Sequence, residues 1–140
     1  MAQNVNPTFV KTPNNGLVQI STGTGTANVT IYTGAANGSK VIALNATNQS
    51  SGTANIRFAI TNGITTYIIG EANIPLSAGF VGGATPSVSL FSAGVAPGLP
   101  VDSDGNPYLI LKSSADTLTA AAESTIVSGI INLVAIVGDF

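Results

Sequence analysis

The stretch TANIRFAITNGITTYIIGEANI, residues 53–74, decides the fold. Ile56, Phe58 and Ile60 recur at every second position, with Arg57 between them. Side chains alternate across a strand, so this spacing sends the three apolar groups inward and the guanidinium outward. Asn62-Gly63 then marks a hairpin turn, and TTYIIGEANI returns as the partner strand.

The same signals extend in both directions. Gly, Pro and Asn punctuate the chain about every 8–12 residues, the rhythm of an all-β sandwich or barrel. LVQIS (17–21) is a short strand. ANVTIYT (27–33) places Val29 and Ile31 on one face. GSKVIALNATN (38–48) sets Val41, Ala43 and Asn45 opposite Ile42 and Leu44. Residues 75–86, with two prolines and three glycines, are a loop. SVSLFSAG (87–94) is a strand or one helical turn. PYLILK (107–112), DTLTAAAE (116–123) and IVSGIINLVAIVG (126–138) complete the series. Three alanines give residues 114–123 the one serious helical claim, and Thr117 and Thr119 argue against it. Residues 1–16 hold two prolines and four asparagines and are expected to form an extended arm ahead of a domain at 17–140.

Composition narrows the function. The chain has 140 residues, enough for one domain with one core. Only 7% are charged, against about 25% in ordinary proteins. Asn, Ser and Thr number 13, 13 and 16, so the polar surface is made of amides and hydroxyls. Residues 12–39 and 72–101 carry no charge. Such a surface is buried against other subunits at little desolvation cost, which points to an assembly component. Cysteine is absent, so there is no disulfide framework. MAQNVNPTFVKTP lacks the basic-then-apolar pattern of a signal peptide. The longest apolar stretch, IVSGIINLVAIV at 126–137, falls short of the roughly 20 residues of a membrane helix. Sequons at Asn28, Asn37, Asn45 and Asn48 are expected by chance in a chain this rich in Asn and Thr.

Residue supply argues against catalysis. VDSDGNPYLIL (101–111) gathers Asp102, Asp104 and Asn106. Counted as a calcium loop from Asp102, the sixth position is Pro107 and the twelfth Ser113, where Gly and Glu are required. A turn closed at Asp104-Gly105, with Pro107 opening a strand, fits better. Paired-acid hydrolysis needs carboxyls about 5–9 Å apart, for which Asp102/Asp104 and Asp116/Glu123 are the candidates, yet exposed turn acids fit them better. No histidine is present, which excludes a Ser-His-Asp triad and leaves no usual zinc ligand beside the missing cysteines. Ser39 and Lys40 are strand neighbours and point to opposite faces. TGTGTAN (22–28) precedes a strand and lacks the lysine of a phosphate loop. Four basic residues make no nucleic-acid footprint. No cofactor, metal, nucleic acid or membrane is expected.

Residues 126–137 are apolar in both alternating sets. Val127, Ile131, Leu133, Ala135 and Val137 form one, and Ile126, Ile130, Val134 and Ile136 the other, interrupted by Ser128 and Asn132. A strand with one wet face alternates with polar residues, so the second face here needs a cover. A homo-oligomer is expected, a trimer favoured, with Ile130 and Val134 near the contact. In the arm, Val5, Phe9 and Val10 are the apolar anchors for a partner surface.

TGAANGSKVIALNATNQSSGTANIRFAITNGITTYIIGEANIP (33–75), followed by PGLPVDSDGNPYLIL (97–111), DTLT (116–119) and a chain ending in GDF, resembles small structural proteins of tailed bacteriophages and prophages. The resemblance runs from about Phe9 to Phe140. It implies a non-enzymatic virion component with no catalytic or ligand residue, and acids at 102–104 that serve a turn. The fold expected is all-β, a single β-sandwich of jelly-roll type with the extended N-terminal arm. The expected function is that of a capsid decoration or auxiliary protein. It would be made in the bacterial host cytoplasm and bound to the major capsid protein or other virion proteins on the capsid surface. A tail, collar or head–tail connector component is the alternative, and a carbohydrate-binding module of a phage fibre the second.

Overall fold

A computed structural model describes residues 10–80 and 85–140. Among these residues nine strands follow in order: β1 (Thr12–Ser21), β2 (Val29–Thr33), β3 (Ser39–Asn48), β4 (Ala54–Asn62), β5 (Thr65–Ile74), β6 (Val88–Ser89), β7 (Leu109–Leu111), β8 (Asp116–Ala122) and β9 (Ile130–Asp139). They form two antiparallel sheets. The first runs β1-β9-β3-β6, with β7 also on β3, and the second β2-β8-β4-β5. The pairing is nested: β1 with β9, β2 with β8, β3 with β6 and β7, β4 with β5. The chain is in effect one long hairpin folded over on itself, and the fold brings β9 beside β3 and β8 beside β4.

Alternation builds the core between the sheets. Ile56 and Phe58 are fully buried, Ile60 packs at their edge, and Arg57 faces out, as expected from 53–74. Phe58 meets Phe91 at 5.9 Å between ring centroids, tilted by 40°, a geometry that favours aromatic pairs. Each such buried apolar side chain contributes about 1.5–3 kcal/mol. Val41, Leu44, Leu118 and Leu133 complete the centre. The sheets close on each other at Gly16, where a side chain would run into the Ile31 carbonyl of β2. The β4–β5 hairpin pairs Asn62 with Thr65, so its loop is Gly63-Ile64, one position on from the Asn62-Gly63 signal.

Three local expectations change. Residues 12–16, expected in the arm, belong to β1: the Lys11 N–H reaches the Asp139 carbonyl at 2.7 Å and Thr12 stands opposite Asp139. The ladder offered by β9 outweighs the Pro/Asn content, and Pro13 is tolerated because β1 is an edge strand. Residues 1–9 of that arm lie outside the described residues, as do 81–84 in the loop at 75–86. In β3 the register against β9 slips between Val41 and Ala43, so Val41 faces inward with Leu44, Ala46 and Asn48, and Ile42 turns outward. A bulge shifts the alternation by one residue, which sequence period alone does not reveal. Residues 116–122 are strand as expected, and the helical claim at 114–123 fails, with Thr117 and Thr119 bonded across to β4. Finally, β9 begins at Ile130. Before it the chain bends through Gly129, which buries Ile126 and exposes Val127, the reverse of the expected sets.

Candidate functional site

Among the described residues, the outer face of the first sheet exposes several large apolar side chains. Within β9, Ile131, Leu133, Ala135 and Val137 fill the core, which turns Asn132, Val134 and Ile136 outward. Leu17 of β1 sits directly across from Val134 and is 66% exposed. Ile136 is flanked by Asn15 and Ala43 and is 47% exposed. Ile42 and Ile110 extend the apolar surface toward β7. A groove of about 640 Å³ lies on this face, lined by Leu17, Gln19, Thr47, Asn132 and Val134 among others. An amide row crosses it: Gln19 donates to Asn132 at 2.9 Å, and Asn132 donates to Thr47 at 3.4 Å and Gln49 at 3.3 Å. Among the described residues, no charged one lines the groove.

Of the residues expected to make contacts, Val134 lies in the middle of this face. Ile130 is half-buried at the start of β9. Val10 covers the outer side of Gly138. Val5 and Phe9 lie outside the described residues. Ile136 shares this face with Val134, as the alternation of 126–137 placed it, while Leu17 and Ile42 were missed as parts of the same surface. They come from two other strands, and only the register aligns them.

A second apolar element projects from the other sheet. Ile64 forms the tip of the β4–β5 hairpin, and Tyr67 and Ile68 stand exposed beside it. No charged residue occurs between Arg57 and Glu71.

The acidic groups are used within the fold. The Asp102 carboxylate accepts the N–H groups of Asp104 and Asn106, both at 2.9 Å, while Gly105 takes φ 84°. The Asn106 N–H foremost, with that of Asp104, holds the Asp102 carboxyl below its usual value. Asp139, the last residue of β9, reaches across to the second sheet. It accepts Ser39 Oγ at 2.6 Å, Tyr32 Oη at 2.8 Å and Asn14 Nδ2 at 3.3 Å. Burial alone would push this carboxyl up, but the three donors outweigh burial and hold it below the ordinary carboxylate value. Asp116 is buried and accepts the Lys112 N–H at 3.1 Å. Glu123 lies just past the far end of β8, about 20 Å away at 3.3 Å per residue, too far for paired-acid chemistry. Ser39 faces inward, while Lys40 faces outward over the Tyr108 ring at 4.5 Å.

A polar cleft of about 330 Å³ lies between the β3–β4 and β8–β9 loops. Asn73 donates to Asn55 and Asn55 to Glu123 along its floor, at 2.8 and 2.7 Å. Arg57 pairs with Glu71 at 2.7 Å beside it. Among the described residues, no three His, Cys, Asp or Glu side chains come together as a metal site. Among those residues, too, no helix is long and apolar enough to cross a membrane.

No protein-family profile matches the chain, and no curated protein matches it in sequence. Two crystal structures of a pentameric capsid protein isolated from metagenomic phage sequences, the second solved by iodide phasing, match it at a TM-score of 0.40 and 19% identity. The matches cover 90% of this chain and 61% and 62% of those chains. The chain thus spans less than two thirds of the length of that protein.

Proposed function

We propose that the protein is a non-enzymatic structural component of a phage virion, an auxiliary or decoration protein that binds the assembled head as a homo-oligomer. One observation carries this reading: the outer face of the first sheet exposes Leu17, Val134 and Ile136 around an uncharged groove. A contiguous apolar surface of this kind marks an interaction site. Two further features support it. The nested strand order suits the jelly roll expected from the sequence, an architecture of viral capsid domains. The phrases at 33–75 and 97–111 resemble those of phage structural proteins.

The action would be mass action. A partner that binds the assembled lattice and not its free subunits stabilises the lattice in proportion to occupancy. The near absence of surface charge suits a wide contact, since few ions are desolvated when it forms. A trimer is the oligomer favoured from the sequence, and residues 1–9 would add Val5 and Phe9 to the contact with the particle.

The test adds purified protein to undecorated heads and measures copies per particle and the melting temperature of the heads. Copies in proportion to the capsid lattice, with a raised melting temperature, are expected. A single ring of copies would make the protein a collar or connector component and overturn the decoration reading. Glycan binding with no binding to heads would return the fibre module.

A further inference from the structure

Asn-Gly occurs three times in the chain, at Asn15-Gly16, Asn37-Gly38 and Asn62-Gly63. An asparagine loses ammonia most readily before glycine, which has no Cβ to keep its own nitrogen from the Asn side chain. The glycine backbone nitrogen attacks Cγ, the new N–C bond closes a five-membered succinimide, and the side-chain nitrogen leaves as ammonia. Water then opens the ring, to aspartate or to isoaspartate, which carries an extra methylene in the main chain. The sequence ranks the three sites equal. The structure does not.

The reaction needs the Asn–Gly peptide to rotate, so what holds the glycine governs it. All three asparagines are exposed, and the glycines differ. Gly16 is buried in β1, between Asn15 and Leu17, which stand opposite Ile136 and Val134, and it lies flush against the Ile31 carbonyl. Gly38 is buried too. Its N–H donates to the Ala35 carbonyl at 2.9 Å, its carbonyl accepts the Phe140 N–H at 3.1 Å, and the Leu111 and Lys112 carbonyls close over its α-carbon. Gly63 is exposed in the hairpin turn, with no atom within 4 Å of where a Cβ would stand. Its N–H donates to the Ala115 carbonyl at 3.3 Å, and Ala115 is itself exposed, so water can take over that bond.

We propose that Asn62 is the deamidation site of this protein, and that the carboxylate formed there loosens the β4–β5 hairpin. A hairpin tip opens at a far lower free energy than a paired strand backed by the core, so the reactive geometry is reached most often at Gly63. The new charge enters the segment from Phe58 to Gly70, which has none. Asn62 stands opposite Thr65 on one side and Asp116 of β8 on the other. Residues paired across a ladder share a face, so the product sets a second carboxylate against the buried Asp116. Like charges directly opposite each other destabilise a sheet. The isoaspartate form also lengthens the backbone at the pair where the turn fixes the register of β4 on β5.

The positions of the basic residues make the test direct. Trypsin cuts after Lys11, Lys40, Arg57 and Lys112, so Asn15 and Asn37 fall in the peptide 12–40 and Asn62 in the peptide 58–112. The folded protein is aged in mildly alkaline buffer and digested under acidic conditions that halt the reaction. Mass spectrometry then follows the replacement of amide by carboxyl in each peptide. Deamidation of 58–112 at least about tenfold faster than of 12–40 is expected, with fragmentation placing it at Asn62. In urea the two peptides should react at comparable rates. A folded protein in which 12–40 reacts as fast as 58–112 would overturn the proposal. The same preference in urea would overturn it too, since local sequence and not the fold would then select the site.

Asn62→Asp tests the consequence without ageing. Its melting temperature is expected to fall by about 2–6 °C. An unchanged or raised melting temperature would overturn the loosening of the hairpin.

Discussion

The phenol of Tyr32 donates to both carboxylate oxygens of Asp139, at 2.9 and 2.8 Å, and so ties β2 of the second sheet to β9 of the first. Ser39 and Asn14 complete the knot from β3 and β1. One carboxylate at the end of β9 therefore gathers four strands. Burial, then the bond to Asp139, raises the Tyr32 pKa, while Asp139 is held low.

Tyr32→Phe removes the donor without changing shape. It is expected to cost about 1–2 kcal/mol at neutral pH, since a bond to a charged group is worth more than a neutral one but this site is partly solvated. The pH dependence follows from the sign of the shift. A carboxyl whose folded pKa is depressed contributes stability above the unfolded value, about 3.9, and that contribution is lost as pH falls through the folded value. Urea unfolding at pH 7 and pH 3 measures this. The loss on acidification should be smaller in Tyr32→Phe than in the unmodified protein, and an equal loss would remove Asp139 as its source.

Asn48 holds the β3–β4 loop from inside. It is fully buried, its Nδ2 donating to the carbonyls of Gly52 at 2.9 Å and Ile74 at 3.0 Å, while its Oδ1 accepts the Ser50 N–H and hydroxyl, each at 2.7 Å. Asn48→Ala strands several of these partners, so a loss of about 3 kcal/mol is expected by denaturant melt. A loss under about 1 kcal/mol would mean that water replaces the amide.

Metal removal is expected to change nothing. The Asp102 carboxylate is engaged by the N–H groups of its own turn, and Gly105 and Pro107 occupy the wrong positions for a calcium loop. Thermal melts with and without a chelator should superimpose, and a large drop on chelation would contradict this.

Deletions at the N-terminus should divide at β1. Removing residues 2–9 is expected to leave the melting temperature unchanged and to reduce occupancy on phage heads. Removing residues 2–15 takes away the pairs from Thr12 to Asn15 against β9 and should destabilise the fold. Unchanged occupancy after the shorter deletion would show that this segment makes no contact with the particle.

The β class and the inward residues of β4 were legible because one property, alternation, is local. Ile56, Phe58 and Arg57 needed no tertiary information to be sorted. The Asp102 turn was legible for the same reason, since Gly105 and Pro107 signal within five residues. The outer face was legible only as an excess: residues 126–137 plainly carried more apolar groups than one core face could take.

The tertiary structure decided what depends on partners far apart in the chain. Pro13, Asn14 and Asn15 look like leader sequence, yet they are strand because β9, more than 100 residues away, offers them a ladder. Ile42 faces out because β3 slips against β9 at that point, a choice made by two strands together. The knot at Asp139 draws its donors from three other strands, and no spacing in the sequence announces it. By itself the sequence determined a β protein, poor in charge, with more apolar surface than one core can bury. Which of those residues share a face, and where the groove and the hairpin tip lie, was set by register. Register is the energy of many weak pairings summed across strands, so it exists only once the strands have met.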